Sequence, residues 1–583
     1  MHAQIPCAAA FFGWPGMTHG TLGEEVDVVD GENLGTVTPR RGRPDPDALD
    51  LPSESQLDVD ATAGAPRATV PDLTDGTVST PERTTAGDPA EGENLGAKVA
   101  SGAKWSMLGN IITRAGSLVI GIVVANMVGA EGIGVFAIAM TVGQMLLTFI
   151  DMGLGTDLVR GTEEEMERKA PTIATLGMTF CTAGAVALFL GSGAIANALG
   201  TPGATALLKV YSLMVFIGGL AIVPQGVLTR RIDQKSLAFA IMANFIVGNA
   251  LTLGLLFATS IGVLALPIGA VTGMAIEVAL FYVFAKRGLR FGWDRTVMRS
   301  ALGFGAPVAG SNVLQVLLGN VDKLVVAPIL GPMRLGHYTM AANISNWPVS
   351  VFGLVVRSVA MPAFAHTKPK DRDPVLTLGC QLTWLIAFPI GLMLALFAHD
   401  VILFVYNPEF EKSIPLLAIL GIYGAIRVMF DTLTGYLYAR GNSRAVLQAN
   451  VAWVIVLFAA TWVAARTWGT EGAALAQVFT VVVVALPIFL WSAQKTGASI
   501  VDILKSLLPA TVACIPAAVV SVLLSRWVDS FHFTGNLRLD SMIGLAVGGL
   551  SFLAIYIPLV HKKVRASIAA MRAPVEEPEP VLP

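Results

Sequence analysis

The chain has 583 residues, 54% of them hydrophobic, with a mean hydropathy of +0.66. Charged residues make up 14%, against roughly 25% in soluble domains, which excludes an ordinary soluble protein and indicates a polytopic membrane protein. The net charge of −2 hides a division: residues 1–98 carry −11 and residues 99–583 carry +9.

Residues 1–98 are rich in Pro, Gly, Thr and Asp and poor in large apolar side chains, so they cannot bury enough surface to fold. They read as a disordered, acidic cytoplasmic arm, with Met17 as an alternative start. "CAAAFFGW" is too short for a signal peptide. Cys181, Cys380 and Cys514 lie in apolar stretches and the four Cys show no zinc spacing.

From residue 104 onward the sequence predicts fourteen apolar segments, each near the ~20 residues a spanning helix needs. Their centres fall near 116, 146, 181, 216, 247, 273, 315, 348, 385, 426, 455, 481, 516 and 550. Lys and Arg accumulate in cytoplasmic connections. With the N-terminus inside, the inside connections carry 24 Lys/Arg and the outside ones five: Arg334, Lys412, Arg466, Arg526 and Arg538. Both termini are therefore expected in the cytoplasm, and all connections are too short to form a domain.

"VVANMVGAEGIGVF" (123–136) is echoed by "VVAPILGPMRLGHY" (325–338), 202 residues later. Six helices separate the copies, so both run in the same direction, as in a parallel repeat with its axis along the membrane normal. The polar residues keep the same offset. Thr141, Gln144, Thr148, Asp151 and Gly155 have Asn343, Asn346, Ser350, Gly353 and Arg357 as equivalents, and each set draws one stripe along a helix. Asn110, Arg114, Ser117 and Gly121 line one face of helix 1; Asn312, Gln315, Gly319 and Asp322/Lys323 line one face of helix 7. Close helix packing accounts for the small residues. It leaves the charges unexplained, and ionisable groups at membrane depth face a bundle interior or a wet cavity. The expectation is a shared cavity between two six-helix halves.

The cavity candidates are Arg114, Lys323, Arg357 and Arg427, with Asn110, Gln144, Asn343 and Asn346. Arg suits phosphate because its planar fork binds two oxygens. Simpler roles stand beside these: Arg427 and Asp431 are four apart and can pair, Arg357 can snorkel, and Asp151 can be the counter-ion of Arg114. Asp151, Asp322, Asp431 and Glu277 are the coupling or charge-pair candidates, Glu277 having no evident partner in the sequence. There is no Walker A, G-x-S-x-G or HExxH sequence, so the reading is a transporter and not an enzyme, without cofactor or metal.

"GAKWSMLGNIITRAGSLVIGIVVANMVGAEGIGVFAIAMTVGQMLLTFIDMGLGTDLVR", "NVDKLVVAPILGPMRLGHYTMA" and the segment from "PIGLMLALFAHD" to "YARGNSR" resemble the polysaccharide-transporter branch of the multidrug/oligosaccharidyl-lipid/polysaccharide exporter superfamily, over roughly residues 99–490. The resemblance implies flippases of undecaprenyl-diphosphate-linked oligosaccharides in the bacterial inner membrane. It also implies two six-helix lobes forming a V, with cationic cavity residues for the headgroup. The expected organisation is an arm (1–98), an N-lobe (99–287), a C-lobe (288–494), two extra helices (495–566) and a disordered tail (567–583). The expected partners are the lipid-linked oligosaccharide, membrane lipids, a polymerase and glycosyltransferases, with no nucleic acid, around a monomer. A peptidoglycan-precursor flippase and a cation antiporter of the same fold are the alternatives.

Overall fold

The computed structural model describes residues 89–151, 153–159, 162–346, 374–530 and 537–572, with a few side chains excepted. The chain divides into two units, 1–83 and 84–583, of which the first, with most of the acidic arm, lies outside the described residues. The described residues form helices and no strand. In lipid this is the expected outcome, because a helix satisfies its backbone hydrogen bonds within one segment.

Helix α1 (Pro89–Asp151) begins inside the segment assigned to the arm. It is followed by α2 (Leu154–Val159), α3 (Glu163–Ala198), α4 (Ala204–Arg230), α5 (Gln234–Ala258) and α6 (Ala265–Ala285). Then come α7 (Arg295–Leu318), α8 (Val321–Leu330), a helix over 332–346 (α9), α10 (Pro374–Leu396), α11 (Ala398–Val405) and α12 (Ile414–Ala439). The chain ends with α13 (Ser443–Thr480), α14 (Leu486–Lys495), α15 (Ile500–Asp529) and α16 (Leu537–Arg572), the last running past the predicted start of the tail at 567.

Ten helical segments among the described residues are long and apolar enough to cross a membrane, and eleven if the bent pair Ala309–Leu318 and Val321–Leu330 counts as one. The sequence expectation of fourteen differs for physical reasons. Gly109–Ile150 has 42 residues and Ser443–Lys495 has 53, far more than the ~20 of one crossing. Each breaks midway at a glycine with positive φ, Gly129 (φ 76) and Gly469 (φ 66), where the sequence reading places a turn between two spans. The continuation of α9 lies outside the described residues.

Helix α3 packs on α4, α4 on α6, and α5 on α6, with α1 against α4 and α5. In the second part α10 packs on α12, α12 and α8 on α13, and α15 on both α10 and α16. One apolar core gathers Val124, Ile133, Val325, Leu335 and Phe410 from both copies of the repeat and the segment after α11. A second joins α2, α3, α4 and α6 around Leu158, Ile173 and Phe281. A third joins α10, α15 and α16 around Cys514, Phe552 and Tyr556.

Candidate functional site

The two copies of the repeat have the same backbone. Gly129 has φ 76 and ψ 174; its equivalent Gly331 has φ 82 and ψ 172. That region is nearly closed to residues with a Cβ, so glycine is required at both positions. The copies also touch reciprocally. A Cβ on Gly134 would overlap the carbonyl oxygen of Pro332, and a Cβ on Gly336 would overlap that of Ala130. Gly134 and Gly336 are equivalents, and so are Ala130 and Pro332, so residue i of one copy meets residue j of the other and the reverse.

Directly against this contact lies a cavity of about 540 Å³. Val124, Ile133 and Ala137, part of the shared core, form its wall on the hinge side. Helix α1 contributes Ser117, Gly121, Thr141 and Gln144, which the sequence had placed on polar stripes. Lys323 and Asn343 enter from α8 and α9. The break between α7 and α8 turns Asn320 into the same space: its Oδ1 accepts from Lys323 Nζ at 2.9 Å and from Thr141 Oγ1 at 3.5 Å. Asn320 thus holds the ammonium in place and links it to α1. Lys323 is the one cation among the described lining residues, and none of them is acidic.

Helix α5 adds Asn244, Asn249 and Thr252, which the sequence reading missed. The signal was present: Asn244, Gly248 and Thr252 are four apart and share a face with Asn249. Asn244 also corrects the expectation for Glu277, because its Nδ2 donates to Glu277 Oε2 at 2.5 Å.

The other candidates fall into three groups. Arg114 lies on the same stripe as Ser117 and Gly121; its carbonyl accepts from Ser117 Oγ at 2.9 Å, and its Nε is buried without a hydrogen-bond partner. Asn110 is exposed and Asn346 half-buried, each with contacts of its own. Asp322 points away from the cavity and is 6% exposed. It meets Tyr338, whose hydroxyl also accepts from Gln477 Nε2 at 3.2 Å. Arg427 joins the same group, hydrogen-bonded with Tyr423 and within electrostatic reach of Asp322 and Asp431. Adjacent Asp322 and Lys323 therefore serve different surroundings, as the ~100° turn per helical residue allows. Arg357 and the side chain of Asp151 lie outside the described residues.

The arrangement offers amides and hydroxyls on several sides and a single ammonium, a set that can donate to and accept from sugar hydroxyls and neutralise an anion. Among the described residues no group of His, Cys, Asp and Glu could hold a metal ion.

Comparison with known proteins agrees with the architecture. The chain is 24% identical over 397 residues to the lipopolysaccharide biosynthesis protein WzxC of Escherichia coli K12, covering 66% of this chain and 78% of that one. It is 24% identical over 476 residues to the succinoglycan biosynthesis transport protein ExoT of Rhizobium meliloti, covering 80% and 94%. Among solved structures, the lipid II flippase MurJ in an inward closed conformation superposes with a TM-score of 0.63 at 15% identity, covering 78% of this chain and 99% of that one. An inward-facing multidrug resistance MATE family transporter superposes with a TM-score of 0.55 at 15% identity, covering 66% and 94%. At these identities the structures speak for the fold. The family described as Polysaccharide biosynthesis protein matches residues 123–415, half of the chain, including both hinge copies and most of the residues that line the cavity; the protein is a multi-pass membrane protein that belongs to this family.

Proposed function

We propose that the protein moves a polyprenyl-diphosphate-linked oligosaccharide across the bacterial cytoplasmic membrane by alternating access, for assembly of a cell-surface polysaccharide. The observation that carries this reading is the polar part of an otherwise apolar cavity lining: amides and hydroxyls around one ammonium, with no carboxylate among the described lining residues. Sugars take the amides and hydroxyls, a phosphate takes Lys323, and the polyprenyl chain stays in lipid. The kinship with polysaccharide biosynthesis proteins supports the cargo class.

In this reading the breaks at Gly129 and Gly469 each divide two spans, and with α9 the count returns to fourteen. The halves related by the 202-residue offset are the two lobes, and both termini face the cytoplasm. The reciprocal glycine contact is the closed outer gate: the copies separate there when the cavity opens outward. Arg114 and Arg357 add cations toward the cytoplasmic side, and Asp322, Asp431, Glu277 and Asp151 are held for coupling or charge balance. A polymerase and glycosyltransferases act next to the transporter, which works as a monomer. A cation antiporter is disfavoured because its cargo would meet Lys323 without an acid beside it.

The test is genetic and chemical. A strain lacking the protein accumulates lipid-linked oligosaccharide on the inner leaflet, and the wild-type chain clears it. Lys323→Ala inserts normally and clears it poorly. Unchanged surface polysaccharide in that variant removes the proposal.

A further inference from the structure

A second cavity, of about 420 Å³, opens at the end of the bundle away from the hinge, between the start of α1, the start of α5 and the end of α6. Its wall is Trp105, Phe239, Met242 and Phe284, and its polar rim is Lys235 and Ser236. Phe239 and Phe284 meet edge to face with ring centroids 6.0 Å apart. Trp105 is 40% and Phe239 57% exposed, so the aromatic wall faces out of the protein.

The rim is cationic. Lys235 Nζ stands 5.6 Å over the Trp105 ring and makes no ion pair with a described acid. Arg231 donates to the Ala285 carbonyl at 3.0 Å, which brings it to the end of α6, beside exposed Lys286. Asp233, two residues before Lys235, is engaged at the start of α5, accepting from the Ser236 amide at 3.1 Å and hydroxyl at 2.6 Å. A lysine on the rim of an outward-facing aromatic trench, with Arg231 and Lys286 at the adjoining end of α6, suits a lipid: a phosphate meets Lys and Arg at the interface, and an acyl chain fills the apolar wall.

This cavity and the transport cavity both lie along the seam of α1 on α5. Between them a Cβ on Gly109 would sit 3.5 Å from Ala238 Cβ, and one on Gly116 only 2.6 Å from the Phe245 ring. The helices touch there, and the apolar wall with a charged rim suits a resident lipid.

We infer that this cavity binds one anionic phospholipid, with its phosphate among Lys235, Arg231 and Lys286 and a chain against Phe239, Met242 and Phe284. The inference rests on the membrane-spanning reading but not on the identity of the cargo. The test is native mass spectrometry of the full chain in detergent, titrated with palmitoyl-oleoyl phosphatidylglycerol and with phosphatidylcholine of the same chains. One phosphatidylglycerol is retained in preference, and Lys235→Gln lowers its retention about fivefold, as expected for one interfacial charge. Phe239→Ala, at an exposed position, lowers retention of both lipids. Equal retention of the two lipids, or unchanged retention in both variants, overturns the inference. Stoichiometric displacement of phosphatidylglycerol by undecaprenyl phosphate overturns it in favour of a cargo site. Lys323→Ala, which the transport reading requires to lose export, leaves phosphatidylglycerol retention unchanged, so failure of one proposal is distinguishable from failure of the other.

Discussion

The two hinge copies share a backbone and differ in how they are fastened. After Gly129 the next helix starts with Ala130, whose amide has no partner within the helix. Glu409 supplies one, accepting from Ala130 N at 2.9 Å, and a carboxylate also suits the positive end of a helix. The residue before the hinge is tied as well: Asn126 Oδ1 accepts from Asn407 N at 2.7 Å, and Asn126 Nδ2 donates to the Val405 carbonyl at 3.1 Å. In the second copy the equivalent of Ala130 is Pro332, which has no amide hydrogen to satisfy and is suited to the first position of a helix. Its copy is held by apolar packing of Val325, Leu335 and Tyr338, and by Ser413, whose hydroxyl donates to the His337 carbonyl at 3.0 Å. One geometric task is therefore solved twice, once with an acceptor from another segment and once by removing the donor.

That comparison can be broken. The largest effect is expected at the reciprocal contact. Gly134→Leu and Gly336→Leu each force a side chain into a backbone carbonyl, at a cost of about 3 kcal/mol to the closed hinge. A cysteine placed at Val128 should then react with an impermeant thiol reagent in either variant. If only one of the two opens the hinge, the contact is not reciprocal in energy. Next, Lys323 has Gly121 as its equivalent, and a Cβ on Gly121 meets nothing within 4 Å. Lys323→Ala should cut export about thirtyfold, the loss of about 2 kcal/mol of charged hydrogen bonding. Adding Gly121→Lys should restore part of it if the cavity needs a cation and not a particular helix; no restoration would tie the need to α8.

A smaller effect is expected from Gly129→Ala and Gly331→Ala. Both should lower thermal stability by about 1–2 kcal/mol, because alanine is strained at these φ values. A Cβ on Gly129 also presses on the Glu409 carboxylate at 3.1 Å whereas one on Gly331 meets nothing within 4 Å, so the Gly129 loss should be the larger; a larger loss at Gly331 would show that the shared backbone carries unequal load. The smallest effect sharpens the fastening argument. Glu409→Ala strands the Ala130 amide at a cost of about 1 kcal/mol, and Ala130→Pro in the same chain should recover it by copying the solution of the second hinge. Export measured alongside unfolding would show whether fastening matters for transport or only for stability.

Much of this was legible in the amino-acid order. The 202-residue offset marks equivalent positions, and Ser117, Thr141, Gln144, Lys323 and Asn343 do line one cavity. The period of a helix makes that possible, since residues three and four apart share a face. Other features were hidden. Helix α5 has no partner in the stripe argument, so Asn244 and Asn249 went unnoticed, and with them the hydrogen bond that engages Glu277. The spacing of Arg427 and Asp431 allowed their pairing to be read, but not the grouping of Arg427 with Tyr423 and Asp322.

By itself the sequence determined the helices, the membrane class and the equivalence of two hinges, because hydropathy and periodicity are local properties of a chain. Only the tertiary structure decided that the hinges touch, that Glu409 reaches Ala130 across 279 residues, and that Lys323 and Asp322 part company. Equivalence in a repeat does not specify proximity. Proximity is set by how far two backbones can approach, and here Gly134 and Gly336, lacking a Cβ, allow it.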